Sequence, residues 1–152
     1  MTTLSITQKL SAHLARSPNE SDRTRARLHL VDWLGCVAGA RNSDVANVMR
    51  DTANDIVIRA AMLGNVLEMD DVHRAAILHP GPAVWPAAFL ANRDADGEMA
   101  ELLDGAIKGY EAMIAIGATF DAAHYGYYHN SATAGGFGAA AAAGAIFGLD
   151  SG

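Results

Sequence analysis

Between Glu68 and His79 the chain gathers three carboxylates and two imidazoles, in the run Glu68-Met-Asp70-Asp71-Val-His73 followed by His79-Pro80. Carboxylates held close in a partly buried cluster raise one another's pKa by repulsion, and a nearby imidazole can take or return the proton near neutral pH. That combination suits general acid–base chemistry. The same residues also describe a solvated acidic helix end with one capping histidine, and on composition alone both readings stand. A divalent metal is a third reading, because Asp70, Asp71, His73 and His79 are acceptable ligands. Their spacing matches no closed motif, with neither an HExxH pair nor a cysteine set, so the expectation is no metal.

A second constellation follows at His129-Asn-Ser131-Ala-Thr133-Ala-Gly135-Gly-Phe-Gly138, where a helix is expected to begin. Free amides at that helix start, together with the Ser131 and Thr133 hydroxyls, could hold a substrate carboxylate. The alternative is ordinary capping followed by close helix packing. The glycines form neither GxGxxG after a strand nor a P-loop with its lysine, so no nucleotide cofactor is expected. Tyr125, Tyr127 and Tyr128 read either as pocket lining or as loop aromatics over a core edge. Lys108 reads as a mid-helix surface lysine.

Helices must position these groups. Leu4, Ile6, Leu10 and Leu14 recur at helical spacing, and Ser17-Pro18-Asn19 breaks the pattern, which predicts a helix near 4–16. Ser21 and Asp22 then cap a helix whose apolar face is Leu30, Trp33, Leu34 and Val37, with Leu28 and Val31 alongside; Gly39 to Asn42 end it. A short peripheral helix is expected over Ser43 to Ala53. From Asn54 the pattern Ile56, Ile58, Ala61, Met62, Val66, Leu67 predicts a helix that delivers Glu68, Asp70 and Asp71 at its C-terminal end, where the dipole disfavours negative charge. Pro80, Pro82 and Pro86 punctuate a helix starting near Gly81–Val84 and running to Asn92. After a turn at Asp94-Ala-Asp96-Gly97 come a long helix over Glu98 to Ala118, a loop His124 to His129, and a Gly/Ala-rich helix over Ser131 to Leu149. Period-2 alternation is nearly absent, so the fold class is all-α, a single helical domain over 1–152.

At 152 residues, 51% apolar and 18% charged, the chain can bury a core and is too apolar to be disordered. Its net charge of −6 and scattered basic residues argue against nucleic acid as a partner. Cys36 stands alone, which excludes an intramolecular disulfide and suits a buried small apolar side chain. The N-terminus lacks the basic and apolar regions of a secretory signal, so the expected location is the cytoplasm. Ser131 to Leu149 is uncharged, but its Ala and Gly release little apolar surface on burial. It reads as a core helix, and no membrane contact is expected.

Taken together, these stretches resemble the MmgE/PrpD family, which includes 2-methylcitrate dehydratase, cis-aconitate decarboxylase and iminodisuccinate epimerase. The resemblance rests on Leu30 to Gly39, Gly64 to His73, His79-Pro80 with Pro86-Ala-Ala, Asp96-Gly97 leading to Gly109-Tyr-Glu111, and His129 to Leu149, in that order. It implies a helical domain that dimerises, paired in full-length members with an α+β lid, and catalysis on small di- or tricarboxylates without metal or organic cofactor. By position it implies that Glu68, Asp70 and Asp71 fall on an Asp-x-Asp-Asp run, and that His79 and His129 fall on active-site histidines. Asp70, Asp71, His79 and His129 are therefore the expected catalytic residues, with Glu68, His73, Ser131 and Thr133 as expected substrate contacts. Glu68 replaces Asp, and Val72 stands where members usually carry Thr, removing a carboxylate-binding hydroxyl. The segment between Gly39 and Ile58 is shorter than usual, and the lid is expected to be absent after Gly152. The expected function is then a lyase- or isomerase-like component, weak alone and completed by a homo-oligomer or a separate chain that brings the missing domain. The alternative is a non-catalytic truncated helical module for oligomerisation or partner binding.

Overall fold

The computed structural model describes residues 4–52 and 55–149. Among them are eight α-helices and no strand: α1 Ile6–Leu14, α2 Glu20–Gly39, α3 Asp44–Thr52, α4 Ile56–Leu63, α5 Gly81–Asp94, α6 Met99–Gly117, α7 Ala122–Tyr125 and α8 Asn130–Ile146, with a 3-10 turn at Ala40–Asn42 between α2 and α3. The expected boundaries at Ala53 and Asn54 lie outside the described residues. No helix of the described residues is long and apolar enough to cross a membrane.

The core is built on α5, α6 and α8. Trp85, Val84, Leu103, Met113 and Leu78 are its largest fully buried side chains. The seam between α6 and α8 is lined by small residues because the backbones nearly touch. A Cβ on Gly109 would lie 2.7 Å from Val84 Cγ1, 2.8 Å from the Gly138 carbonyl oxygen and 2.9 Å from Ala142 Cβ. The Gly/Ala-rich segment thus makes a core helix, burying Ala134, Gly135, Gly138 and Ala142. It stops at Ile146, earlier than Leu149. Gly148 takes a left-handed φ of 67°, and the amides of Gly148 and Leu149 fold back onto the carbonyls of Ala145 and Gly144, which closes the helix end.

Helix α2 starts earlier than expected. Asn19 is its cap, accepting from the Asp22 amide, while the Asp22 side chain returns to the Asn19 amide. Only part of its apolar pattern is buried: Leu30, Trp33 and Cys36 face the core, with Trp33 stacked on Phe89 at 5.8 Å, whereas Leu28, Val31 and Leu34 face solvent. In α5, Pro80 caps the helix and Pro82 sits in the first turn, but Pro86 lies inside it and is buried. There its ring fills core volume, and the helix forgoes one backbone hydrogen bond. Helix α1 buries none of its residues and is tied down by Arg16, which bridges Asp22 of α2 and Glu111 of α6.

Replacing Gly109 by Ala overpacks the α6–α8 seam, and we expect a loss of about 2 kcal/mol. Urea unfolding measures it, and a change within about 0.5 kcal/mol, typical of a surface site, would show that the seam has room.

Candidate functional site

Helix α4 ends at Leu63, and the segment 64–80 is an irregular loop, so the acidic residues do not sit on a helix terminus as the apolar pattern suggests. The reason is tertiary. Gly64 packs against the Trp33 indole so closely that a Cβ would fall 2.3 Å from its Nε1, and the chain turns there through Asn65. Glu68 follows with a left-handed φ of 52°, which a non-glycine residue adopts at a cost of about 1 kcal/mol. Further on, the His73 amide donates to the Leu78 carbonyl at 2.8 Å, and His73 Nδ1 accepts from the Ala76 amide at 3.2 Å. His73 therefore closes a turn. That turn is moored to α8 by Asn130, whose Nδ2 donates to the Ala76 carbonyl at 2.8 Å.

The adjacent aspartates point opposite ways. Asp70, with a side chain 1% exposed, accepts from Asn65 Nδ2 at 3.1 and 3.2 Å, and its Oδ2 lies 3.1 Å from His79 Nδ1. The His79 contact lies off the line along which a ring N–H would donate, so it is an electrostatic pairing rather than a well-formed hydrogen bond. Asp71 turns toward α2 and α6. It accepts from the Gly81 amide at 2.9 Å and the Tyr110 hydroxyl at 2.7 Å, and its Oδ2 lies 3.0 Å from His29 Nδ1. Gly81 is needed for that approach, since a Cβ there would meet Asp71 Oδ1 at 2.8 Å.

Burial pushes the Asp71 carboxyl up, but His29, Tyr110 and the Gly81 amide together outweigh it and hold it below the ordinary carboxylate range. The hydrogen bond to Asp71 raises His29 above an ordinary imidazole, against partial burial that lowers it. Burial and then Asp71 raise the Tyr110 phenol far above its usual value, so it stays a neutral donor.

On the other side of the loop is a groove of about 660 Å³, lined among others by Asn65, Glu68, His79, His129 and Ser131. The His79 amide donates to Ser131 Oγ at 2.9 Å, and the rings of His79 and His129 are 6.5 Å apart. His129 is the cap of α8, its Nδ1 accepting from the Ser131 amide at 3.3 Å, while its carbonyl takes the amides of Ala132 and Thr133. The amides of Ser131, Ala132 and Thr133 in the first turn of α8 are thus already partnered. Thr133 Oγ1 lies 3.0 Å from His124 Nε2, and neither Thr133, His73 nor Asp71 lines the groove. His124 itself stands in the short helix α7, stacked on Phe120 at 4.2 Å, where a loop was expected.

The groove therefore holds two imidazoles, a carboxylate and a hydroxyl, with Asp70 beneath. Asp70, Asp71, His73 and His79 do not converge, and among the described residues no group of three His, Cys, Asp or Glu stands as a metal would need. Lys108 lines a different groove, between α1 and α8. Sequence reasoning missed Asn65, His29 and Tyr110. Asn65 was within reach, three residues before Glu68; His29 and Tyr110 carry no local signal, because only the fold brings α2 and α6 to Asp71.

The Asp71 contacts set a signed pH dependence. The raised His29 value contributes stability that is present below the ordinary imidazole pKa of about 6.5 and lost as pH rises through the folded value. The lowered Asp71 value contributes stability present above about pH 3.9 and lost as pH falls through its folded value. Substituting His29→Gln should therefore destabilise more at about pH 5.5 than at about pH 9 in urea unfolding. Equal losses at the two pH values would remove the charge from the explanation.

The chain matches the model of the MmgE/PrpD N-terminal domain over residues 57–152, a span that includes the whole loop, both histidines of the groove and α8. No curated protein and no solved structure matches it significantly. With more than half its length in that match, the chain belongs to the MmgE/PrpD family through its N-terminal domain.

Proposed function

We propose that this chain supplies the proton-transferring part of a lyase- or isomerase-type site for small di- or tricarboxylates, of the dehydratase, decarboxylase or epimerase kind, without metal or organic cofactor. The observation that carries the reading is the complementary setting of the two groove histidines. His79 turns its buried Nδ1 toward Asp70, which favours the proton on that nitrogen and leaves Nε2 as an acceptor at the groove. His129 accepts a backbone amide at Nδ1, so its proton sits on Nε2, a donor. One imidazole is thus set to take a proton α to a substrate carboxylate, and the other to hydrogen-bond the leaving group or a second carboxylate through its Nε2–H, while the proton taken by His79 is the one available for return to the leaving group or to carbon. The Ser131 hydroxyl, whose oxygen already accepts the His79 amide, has its own proton free for a carboxylate.

The enolate-like charge that such a step creates needs cationic or hydrogen-bonding stabilisation. Among the described residues, no Lys or Arg lines the groove. We place the completing cations on a partner, a second copy or a separate chain, in the cytoplasm. A second reading, a non-catalytic oligomerising module, is favoured by Leu28, Val31 and Leu34, which stand in solvent on α2 around Gly35, where a Cβ would meet nothing.

Titration with citrate and cis-aconitate tests the site. His79→Ala combined with His129→Ala should weaken binding about tenfold or more with the helical circular dichroism unchanged. Binding that survives both changes would leave the non-catalytic reading. The chain alone should turn over these acids far below ordinary enzyme rates, which run from about 1 to about 10³ per second. Turnover at such rates without a partner would show that the groove needs no added cation.

A further inference from the structure

We propose that the groove walled by α2, α3 and α4 binds a small amphiphilic anion, a carboxylate or phosphate head on an apolar body of roughly six to eight carbons. The groove encloses about 370 Å³ over a floor that includes Val37, Ala46, Met49, Ile56 and Leu63, and Arg41, Arg50 and Arg59 stand around it. No lining residue among those described is acidic. Arg50 spends one hydrogen bond on Asn47 Oδ1, at 3.2 Å. Arg41 and Arg59 make no ion pair or hydrogen bond with any described residue, and Arg59 is half-buried.

Of the six arginines elsewhere in the chain, four are treated differently. Arg16, Arg23, Arg27 and Arg93 each hold a carboxylate. Asp55, which opens α4, is occupied by Arg93 at 3.6 Å and by the Val57 amide at 2.7 Å, and it does not line the groove. In a chain of net charge −6 with 11 basic residues, three guanidinium groups share one apolar groove with no counter-charge among its described lining residues. Like charges brought together over apolar surface repel and lose hydration, and a bound anion relieves both. The guanidinium fork matches a carboxylate or a phosphate, and the apolar floor asks for more than an inorganic ion.

The groove shares no lining residue with the one that holds His79 and His129. Helix α4 gives Ala61 and Met62 to that groove and Arg59, Ala60 and Leu63 to this one.

The test titrates the full chain with octanoate, octyl phosphate and 1-octanol, read by methyl NMR at Val37, Met49, Ile56 and Leu63. We expect saturable binding of at least one anion at those methyls, with the alcohol about tenfold or more weaker, and about tenfold loss for the pair Arg41→Gln with Arg59→Gln. Preference for octanoate assigns an acyl carboxylate, and preference for octyl phosphate assigns a phosphate-bearing ligand. Should the double variant fail to fold, Arg41→Gln alone, at an exposed position, carries the comparison. Three results would overturn the proposal: no saturation by either anion, binding unchanged in the variant, or self-association that the variant abolishes while neither anion binds. The last would make the occupant the acidic surface of a second copy.

Discussion

Asp71 is a carboxylate with little access to water that stays ionised because three helices each bring it a donor: the amide of Gly81 at the start of α5, the hydroxyl of Tyr110 on α6 and the imidazole of His29 on α2. Removing one partner from such a buried charge is costly, since the remaining charge keeps its desolvation penalty. The arrangement fixes the loop 64–80 relative to the helices that flank it. Asp71 is seated on α2 and α6, while its neighbour Asp70 meets Asn65 and His79.

The helix packing serves the same end. Gly109 and Gly138 let α6 and α8 come close enough for the start of α8 to reach the loop. There Asn130 holds the Ala76 carbonyl and Ser131 holds the His79 amide, so His79 is gripped on its backbone by α8 and on its ring by Asp70. His129 is fixed by capping α8 itself. Both imidazoles owe their positions to backbone contacts, and such contacts keep a proton-transfer geometry constant while the side-chain ends remain free.

Charge is partitioned across α4. On one side the groove offers carboxylate and imidazole; on the other, three arginines surround an apolar floor. Two of the remaining arginines tie helix to helix: Arg16 joins α1 to α2 and α6, and Arg23 joins α2 to α6 through both oxygens of Asp104 at 2.8 Å. Exposed pairs of this kind contribute little each, so their use is mainly in orientation, with stability resting on the core around Trp85, Leu103 and Met113.

The sequence by itself determined the helical class, the order of the helices, the small-residue character of α8 and the presence of an acid and histidine cluster, because these depend on periodicity, on local stop signals and on residue type. The family resemblance, read from the same segments, holds for the N-terminal domain over residues 57–152. Tertiary structure alone decided what depends on contacts between distant segments. The pattern through Val66 and Leu67 continues at helical spacing, yet Gly64 pressed on Trp33 ends α4 early, so the carboxylates leave the helix. Leu28, Val31 and Leu34 carry the same apolar signal as Leu30 and Trp33, and only the packing of α5 and α6 selects which face is covered. Asp70 and Asp71 are chemically identical neighbours, and their division between His79 on one side and His29 with Tyr110 on the other follows from helices that no local spacing brings together.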